Sequence, residues 1–190
     1  MTEISEINFT TKTGEQIVIR SPKKTDFESF NRFIRGVSEQ SSFTNQYPNQ
    51  PDKNKERTLS QWKTANTTKE NCVLLAFYKG EVIGSCGMFS KHDHPWFKKS
   101  ASFGMSVSKA FWRKGIGGKL LKLLIKQWEK AEMNRLEGLV DTKNFRGINL
   151  YLNHGFKIEG HHRRVAVIDG KYRDKYTIAL VVVGKVRNYE

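Results

Sequence analysis

The sequence has few cysteines, few prolines and no long apolar run. Its 190 residues include two cysteines, Cys72 and Cys86, and four prolines. Both cysteines lie in apolar, strand-like segments, so we expect core thiols and no disulfide framework. The longest apolar run, Ile178–Val183, is far too short to span a bilayer. Glu3 and Glu6 do not fit a secretory leader, so the sequence favours a cytoplasmic protein with no membrane partner.

Acidic residues are outnumbered by basic ones. Lys and Arg total 33 against 19 Asp and Glu, which gives a net charge of +14 and a pI near 9.8. Such a charge favours anionic partners, among them a nucleotide cofactor, RNA or the ribosome. No dense basic block with interleaved aromatics is present, so contact with nucleic acid is expected only indirectly, through the ribosome. The length predicts a single domain over residues 1–190.

The segment from residue 101 to 156 has the most informative pattern. Ala101–Val107 alternates between apolar and small polar residues, as a half-buried strand does. It is followed by the basic, glycine-rich turn Arg113–Lys119, which opens an amphipathic helix. Two interpretations of this turn are open. Its backbone N–H groups are free to bind a phosphate, or its glycines only permit close packing of the strand and the helix. The dinucleotide-binding fingerprint needs glycine at position 120, and the P-loop needs Ser or Thr there, but the residue is Leu120. The sequence therefore argues against a standard NAD site and against an NTPase.

A second motif follows the predicted strand Arg135–Asp141. It contains Asn144, Leu150-Tyr151 and, four residues after the tyrosine, Gly155-Phe156. The turn and this motif, in this order and spacing, resemble the GCN5-related N-acetyltransferase (GNAT) superfamily over most of the chain. Within it, the sequence is most similar to the branch of ribosomal-protein and related amino-group acetyltransferases.

The resemblance implies an α/β (α+β) fold in which helices flank a central mixed, mostly antiparallel sheet, with an acetyl-CoA-binding core at about 101–156. The residue patterns predict its other elements. We expect strands at Ile7–Thr11, Gln16–Arg20, Cys72–Tyr78, Val82–Phe89, Arg163–Ile168 and Lys175–Val183, and helices from about Lys24 to Val37 and at Lys55–Asn66.

The resemblance also implies acetyl-CoA as the acetyl donor, held between strands 101–107 and 135–141. Trp112 departs from the family, which usually has Gln or Arg three residues before the first glycine, and the adjacent basic residues can supply the charge. The implied cofactor-binding residues are the end of the first strand, the turn and the asparagine: Met105, Ser106, Val107, Arg113, Lys114, Gly115, Ile116, Gly117, Gly118, Lys119 and Asn144.

By the same resemblance, an acceptor amine attacks the thioester directly in a ternary complex, and Tyr151 gives a proton or hydrogen bond to the departing thiolate. The structural alternatives are that Tyr151 packs beneath Phe156 and that Asn144 caps its helix. The general base is left open between Asp141, a histidine of the pair at positions 92 and 94, and a water chain.

The acceptor is also left open: a protein N-terminal amine, a lysine, a polyamine or an amine antibiotic all fit. The positive charge slightly favours an acceptor on an anionic body such as the ribosome. Phe43 and Tyr47 either line the acceptor pocket or belong to an ordinary connection. The pairs His92/His94 and His161-His162 have no matching partners for a metal. Two other functions remain, an acetyl-CoA-sensing module without turnover and an RNA-binding protein, and an exposed C-terminal edge allows a homodimer.

Overall fold

The structure is a computed structural model that describes residues 3–44, 53–90, 97 and 99–182. This part of the chain forms one eight-stranded sheet and four α-helices. The strands are β1 (Ile7–Thr10), β2 (Gln16–Arg20), β3 (Cys72–Tyr78), β4 (Glu81–Ser90), β5 (Ser100–Val107), β6 (Arg135–Asp141), β7 (Lys157–Ile168) and β8 (Lys171–Val181), and the helices are α1 (Phe27–Gln40), α2 (Lys55–Thr67), α3 (Ile116–Lys130) and α4 (Phe145–Leu152).

The strand order is β1-β2-β3-β4-β5-β6-β8-β7. Every neighbouring pair is antiparallel except β5 and β6, which run parallel. The predicted mixed, mostly antiparallel sheet is therefore confirmed. No helix of the described residues is long and apolar enough to cross a membrane.

The sheet is covered by helices on both faces, and β3 shows why. Leu74 and Ala76 pack in the cluster that contains the buried leucines of α3, while Val73 and Leu75 pack with the aromatic side chains of α1 and α2. Because successive side chains of a strand point to opposite faces, a strand buried on both sides needs the continuous apolar run that β3 has. The two cysteines are buried and free.

Strands β5 and β6 separate along their length. They are paired only from Ser100 to Ser102 on β5, opposite residues 135–137. Beyond that point β5 stays paired with β4 alone, and β6 with β8 alone. The ring of Phe103 fills the narrow end, since a Cβ added to Gly138 would come within 2.9 Å of it. An open gap between the two strands is the feature that positions the site.

Three predicted element starts were wrong by three residues or more. Strand β8 begins at Lys171 and not at the predicted Lys175, because its first two residues are exposed and carry no buried alternation. Strand β7 begins at Lys157, well before the predicted Arg163, because its first half lies at the sheet edge with mostly exposed side chains and so lacks a buried alternation. Helix α1 begins at Phe27, after a 3-10 turn in which Asp26 accepts the Lys23 N–H at 2.6 Å and pairs with Arg20. The predictions on Tyr47, His92 and His94 lie outside the described residues.

Candidate active site

The turn before α3 presents an array of backbone donors. Arg113 (φ 63°) and Gly115 (φ 86°) adopt the left-handed conformation that gathers successive N–H groups into an anion-binding concavity. In the described part of the chain, the N–H groups from Arg113 to Gly118 find no acceptor, and the first helical bond runs from Lys119 N to Gly115 O at 3.0 Å. This array lies at the positive end of the α3 dipole, which suits a phosphate.

The glycines of this turn also allow close packing. A Cβ on Gly117 would lie 3.4 Å from both Leu150 of α4 and Met105 of β5, and one on Gly118 would lie 3.7 Å from His154. Helix α4 therefore runs directly beside the first turn of α3. The two interpretations of the glycines are compatible, because the same absence of side chains serves the packing and leaves the donors accessible.

The charge of the turn is partly neutralised. Lys114 forms an ion pair with Glu15, which also accepts hydrogen bonds from Thr11 and Thr13. These contacts lower the pKa of Glu15 to about 2, and the contact with Lys114 makes the largest contribution. Arg113 is exposed and has no acidic partner among the described residues. Of the two adjacent cations Arg113 and Lys114, Arg113 is thus the one without an acidic partner in the described part of the chain.

The end of β5 directs backbone groups into the gap. Ser108 donates to the Ile83 carbonyl of β4 at 2.9 Å. Because backbone groups alternate along a strand, those of Val107 and Met105 point away from β4 and towards the gap. The Val107 carbonyl accepts the indole N–H of Trp112 at 2.7 Å, which leaves its N–H for a ligand. The backbone groups of Ser106 point towards β4, so its side chain is what remains for binding.

Tyr151 lies beside the same gap. Its ring packs against Phe103 at 5.3 Å and against Phe156 at 5.8 Å, so the predicted packing role is confirmed. Its hydroxyl makes no hydrogen bond within the described residues. Burial, with a smaller contribution from nearby Cys86, raises the pKa of Tyr151, so the phenol keeps its proton. A packed ring with a free hydroxyl is compatible with both predicted roles.

Asn144 caps α4, as the structural alternative predicted. Its Oδ1 accepts the Gly147 N–H at 3.0 Å, and a Cβ on Gly147 would lie 2.7 Å from its Nδ2. The cap holds the side chain in one orientation and leaves the Nδ2 donors without an acceptor among the described residues. The capping role does not exclude a contact with a ligand.

The C-terminal end of α1 and the residues just after it bridge the wide end of the gap. On the β5 side, Gln40 Oε1 accepts the Lys109 N–H at 2.9 Å. On the β6 side, Arg173 lies 5.5 Å from the Phe43 ring centre and pairs with Asp141 at 2.8 Å. Asp141 is 3% exposed, and its Oδ1 also accepts the backbone N–H of Lys143. A buried carboxylate held in an ion pair is a poor candidate for the general base.

Sequence reasoning missed two contacts at this site. Glu15 is 99 residues from Lys114, and no local pattern joins them. The guanidinium of Arg146 lies over the Trp112 ring, with 4.7 Å from its carbon to the ring centre. The signal that could have indicated the second contact was the unusual tryptophan itself, since an aromatic ring in a basic environment attracts a guanidinium.

Comparison with known proteins agrees with this arrangement. The family model described as the acetyltransferase (GNAT) domain matches residues 16–157. The chain is 27% identical over 168 residues to the L-amino acid N-acetyltransferase AaaT of Escherichia coli, covering 87% of this chain and 98% of that protein.

Two solved structures resemble the fold closely. A GNAT-family acetyltransferase from Streptococcus pneumoniae superposes with a TM-score of 0.81 at 25% identity, over 87% of this chain and 99% of that one. The yncA protein of Salmonella typhimurium, solved with its cofactor acetyl-CoA, has a TM-score of 0.79 at 18% identity, over 91% and 98%. A neighbour from Brucella melitensis named ribosomal-protein-alanine N-acetyltransferase is 20% identical, which shows the fold alone, so the predicted branch stays a prediction.

Proposed function

Because this chain belongs to the GNAT acetyltransferase family, whose members use acetyl-CoA, we propose that it transfers the acetyl group directly to the primary amine of an acceptor in a ternary complex. The observation that carries the proposal is the gap between β5 and β6. It joins the free N–H array of the turn before α3 to the unpaired edge of β5 and the free hydroxyl of Tyr151.

The residues present fit acetyl-CoA. The N–H groups of Arg113 to Gly118, with the Arg113 and Lys119 side chains and the Asn144 amide, would hold the pyrophosphate. The backbone groups of Met105 and Val107 match the amides of the pantetheine arm, with the Ser106 side chain beside them. Binding of acetyl-CoA along this path, from the turn before α3 to the end of β5, is part of the proposal.

The thioester supplies an activated acetyl group when acetyl-CoA is bound. Backbone N–H groups fixed at the β5 edge stabilise negative charge where it develops on the carbonyl oxygen. A free thiol has a pKa of about 8.5, well below the raised pKa of Tyr151, so complete proton transfer to the thiolate would be uphill. Tyr151 therefore stabilises the leaving thiolate chiefly as a hydrogen-bond donor.

Direct attack is favoured over a covalent enzyme intermediate by the state of the two cysteines. Both are buried, and burial raises the pKa of the Cys72 thiol to about 12 and that of Cys86 further. A buried, protonated thiol is not a nucleophile. The acceptor must arrive as a neutral amine. Asp141 is disfavoured as its base by the ion pair with Arg173, and the proton passes to a water chain or to one of the histidines at 92 and 94, which lie outside the described residues.

The acceptor class that we propose is the α-amino group of a free L-amino acid. The support is the name of the curated relative AaaT, which covers nearly the whole of both chains. The other acceptors, a protein N-terminal amine and a polyamine, serve as outcomes of the test.

The test is thiol release from acetyl-CoA with a panel of L-amino acids, a short peptide and a polyamine, followed by mass spectrometry of the product. We expect acetylated amino acid and initial-rate lines that intersect when both substrates are varied. Parallel lines would contradict direct transfer, because they indicate a covalent intermediate. Thiol release with the peptide or the polyamine alone would show that the acceptor is not a free amino acid. Binding of acetyl-CoA without transfer to any amine would indicate an acetyl-CoA-sensing module instead of an enzyme.

A further inference from the structure

Trp112 has a fixed position at the start of the donor array. Its indole N–H donates to the Val107 carbonyl at 2.7 Å, so the ring is tied to the end of β5. It immediately precedes Arg113, the first of the N–H groups without an acceptor. Trp112 itself brings no charge to the start of the turn.

Arg146 brings a positive charge to this position. It lies in the first turn of α4 and is exposed, and its guanidinium carbon is 4.7 Å from the Trp112 ring centre. It has no acidic partner among the described residues, whereas Lys114 of the turn is neutralised by Glu15. A guanidinium stacked on an aromatic face is restrained by the ring and still presents its N–H donors at the edge.

The direction of α4 places Arg146 beside the array and not beyond it. Leu150, one turn after Arg146, is 3.4 Å from the Cβ position of Gly117, and His154, one turn later, is 3.7 Å from that of Gly118. Helix α4 therefore passes along the turn from Trp112 towards α3. Arg146 is level with the beginning of the N–H array.

We propose that Arg146 is a phosphate ligand of this site and that Trp112 is the positioning residue that holds it there. The inference rests on the proposed function, which supplies acetyl-CoA as the ligand, and it assigns a binding role to a residue on a different element from the turn. The ligand group is either the pyrophosphate or the 3′-phosphate of coenzyme A, since both offer oxygen pairs that match a guanidinium fork.

The first experiment is calorimetric titration of acetyl-CoA into the wild type, Arg146→Ala and Lys126→Ala. Lys126 is an exposed cation on the distal part of α3, so its variant controls for the loss of one positive charge. A charge-assisted bidentate contact predicts about a tenfold to hundredfold weaker affinity for Arg146→Ala and a shallower dependence on salt. Lys126→Ala is expected to stay within about twofold of the wild type.

A second comparison identifies the phosphate and tests the role of the tryptophan. If the penalty of Arg146→Ala disappears with 3′-dephospho-coenzyme A, the 3′-phosphate is the ligand; if it persists, the pyrophosphate is. Trp112→Ala should lose most of the same affinity, whereas Trp112→Phe keeps a ring beneath the guanidinium and should lose less. Trp112→Arg should restore affinity to Arg146→Ala by putting a cation directly before the N–H array.

Affinity and salt dependence of Arg146→Ala equal to those of the wild type would overturn the inference and leave the proposed function intact. An equal loss of affinity for pantetheine, which has no phosphate, would also overturn it, because the effect would then be structural. Failure of the folded wild type to bind acetyl-CoA would instead overturn the proposed function, and the inference with it.

Discussion

The ring of Phe103 on β5 lies against the backbone of Gly138 on β6, where a Cβ would stand 2.9 Å from the ring. The same ring packs edge-on against Tyr151 at 5.3 Å and against Phe156 at 5.0 Å. The missing side chain at position 138 therefore lets Phe103 occupy the narrow end of the gap. Because the Phe103 ring packs against Tyr151, the absence of a side chain at Gly138 also affects the position of Tyr151.

Gly138→Ala should lower kcat by about tenfold and change the affinity for acetyl-CoA less, because Phe103 must move and will displace Tyr151. Overpacking also predicts a loss of about 1–3 kcal/mol in the free energy of unfolding. Steady-state kinetics and thermal unfolding measure the two effects. Gly104→Ala on β5 is the stability control, since a Cβ there meets nothing within 4 Å. Wild-type kcat and stability in Gly138→Ala would refute the coupling.

The parts of the fold that were predicted correctly are those in which burial determines the residue pattern. Strands β3 and β6 begin and end at the predicted residues, because their inward-facing positions must be apolar. Strand β7 was predicted too short, because a strand with exposed side chains at a sheet edge carries no such pattern. The order of the strands depends on long-range pairing and was not predicted, since the family resemblance predicted only a mixed, mostly antiparallel sheet.

The candidate site divides in the same way. The turn at Gly115 was recognisable because its left-handed backbone favours glycine, and this requirement is local. Two contacts of the site join segments that are far apart in the chain: the ion pair of Lys114 with Glu15 and the stacking of Arg146 on Trp112. No local sequence pattern predicts such contacts. Sequence analysis therefore predicted the backbone turn, and it missed which side chains of the turn are paired and which ring Arg146 contacts.

Tyr151→Phe should preserve acetyl-CoA binding and lower kcat by about a hundredfold, because the substitution removes only the hydroxyl that we propose as hydrogen-bond donor to the leaving thiolate. Burial raises the pKa of Tyr151, so its proton is retained at neutral and moderately alkaline pH. The wild-type kcat should accordingly rise as the acceptor amine deprotonates, with no fall from Tyr151 ionisation below about pH 10. Tyr172→Phe, at a residue 64% exposed on β8, is the control. An unchanged kcat in Tyr151→Phe would remove the donor role.

Gly117→Glu should abolish acetyl-CoA binding. The new side chain begins 3.4 Å from Met105 and Leu150 and places a negative charge beside the donor array. Calorimetry measures the binding, and circular dichroism checks that the fold is retained. Gly36→Glu is the matched control, since it puts the same residue into α1, where a Cβ meets only Gln40 at 3.6 Å. Wild-type affinity in Gly117→Glu would show that the phosphate binds elsewhere.

Glu15→Gln should make stability less dependent on pH in the acidic range. The pKa of Glu15 falls from its ordinary value of 4.5 to about 2 in the folded protein, chiefly through Lys114, so its carboxylate stabilises the fold above about pH 4.5. This contribution is lost as pH falls from there towards 2, because the folded protein must then take up the proton. Unfolding temperatures of the wild type and Glu15→Gln should differ near pH 7 and converge near pH 2, whereas the exposed Glu129→Gln should track the wild type throughout. A difference that stays constant with pH would mean that Glu15 acts through its shape and not its charge.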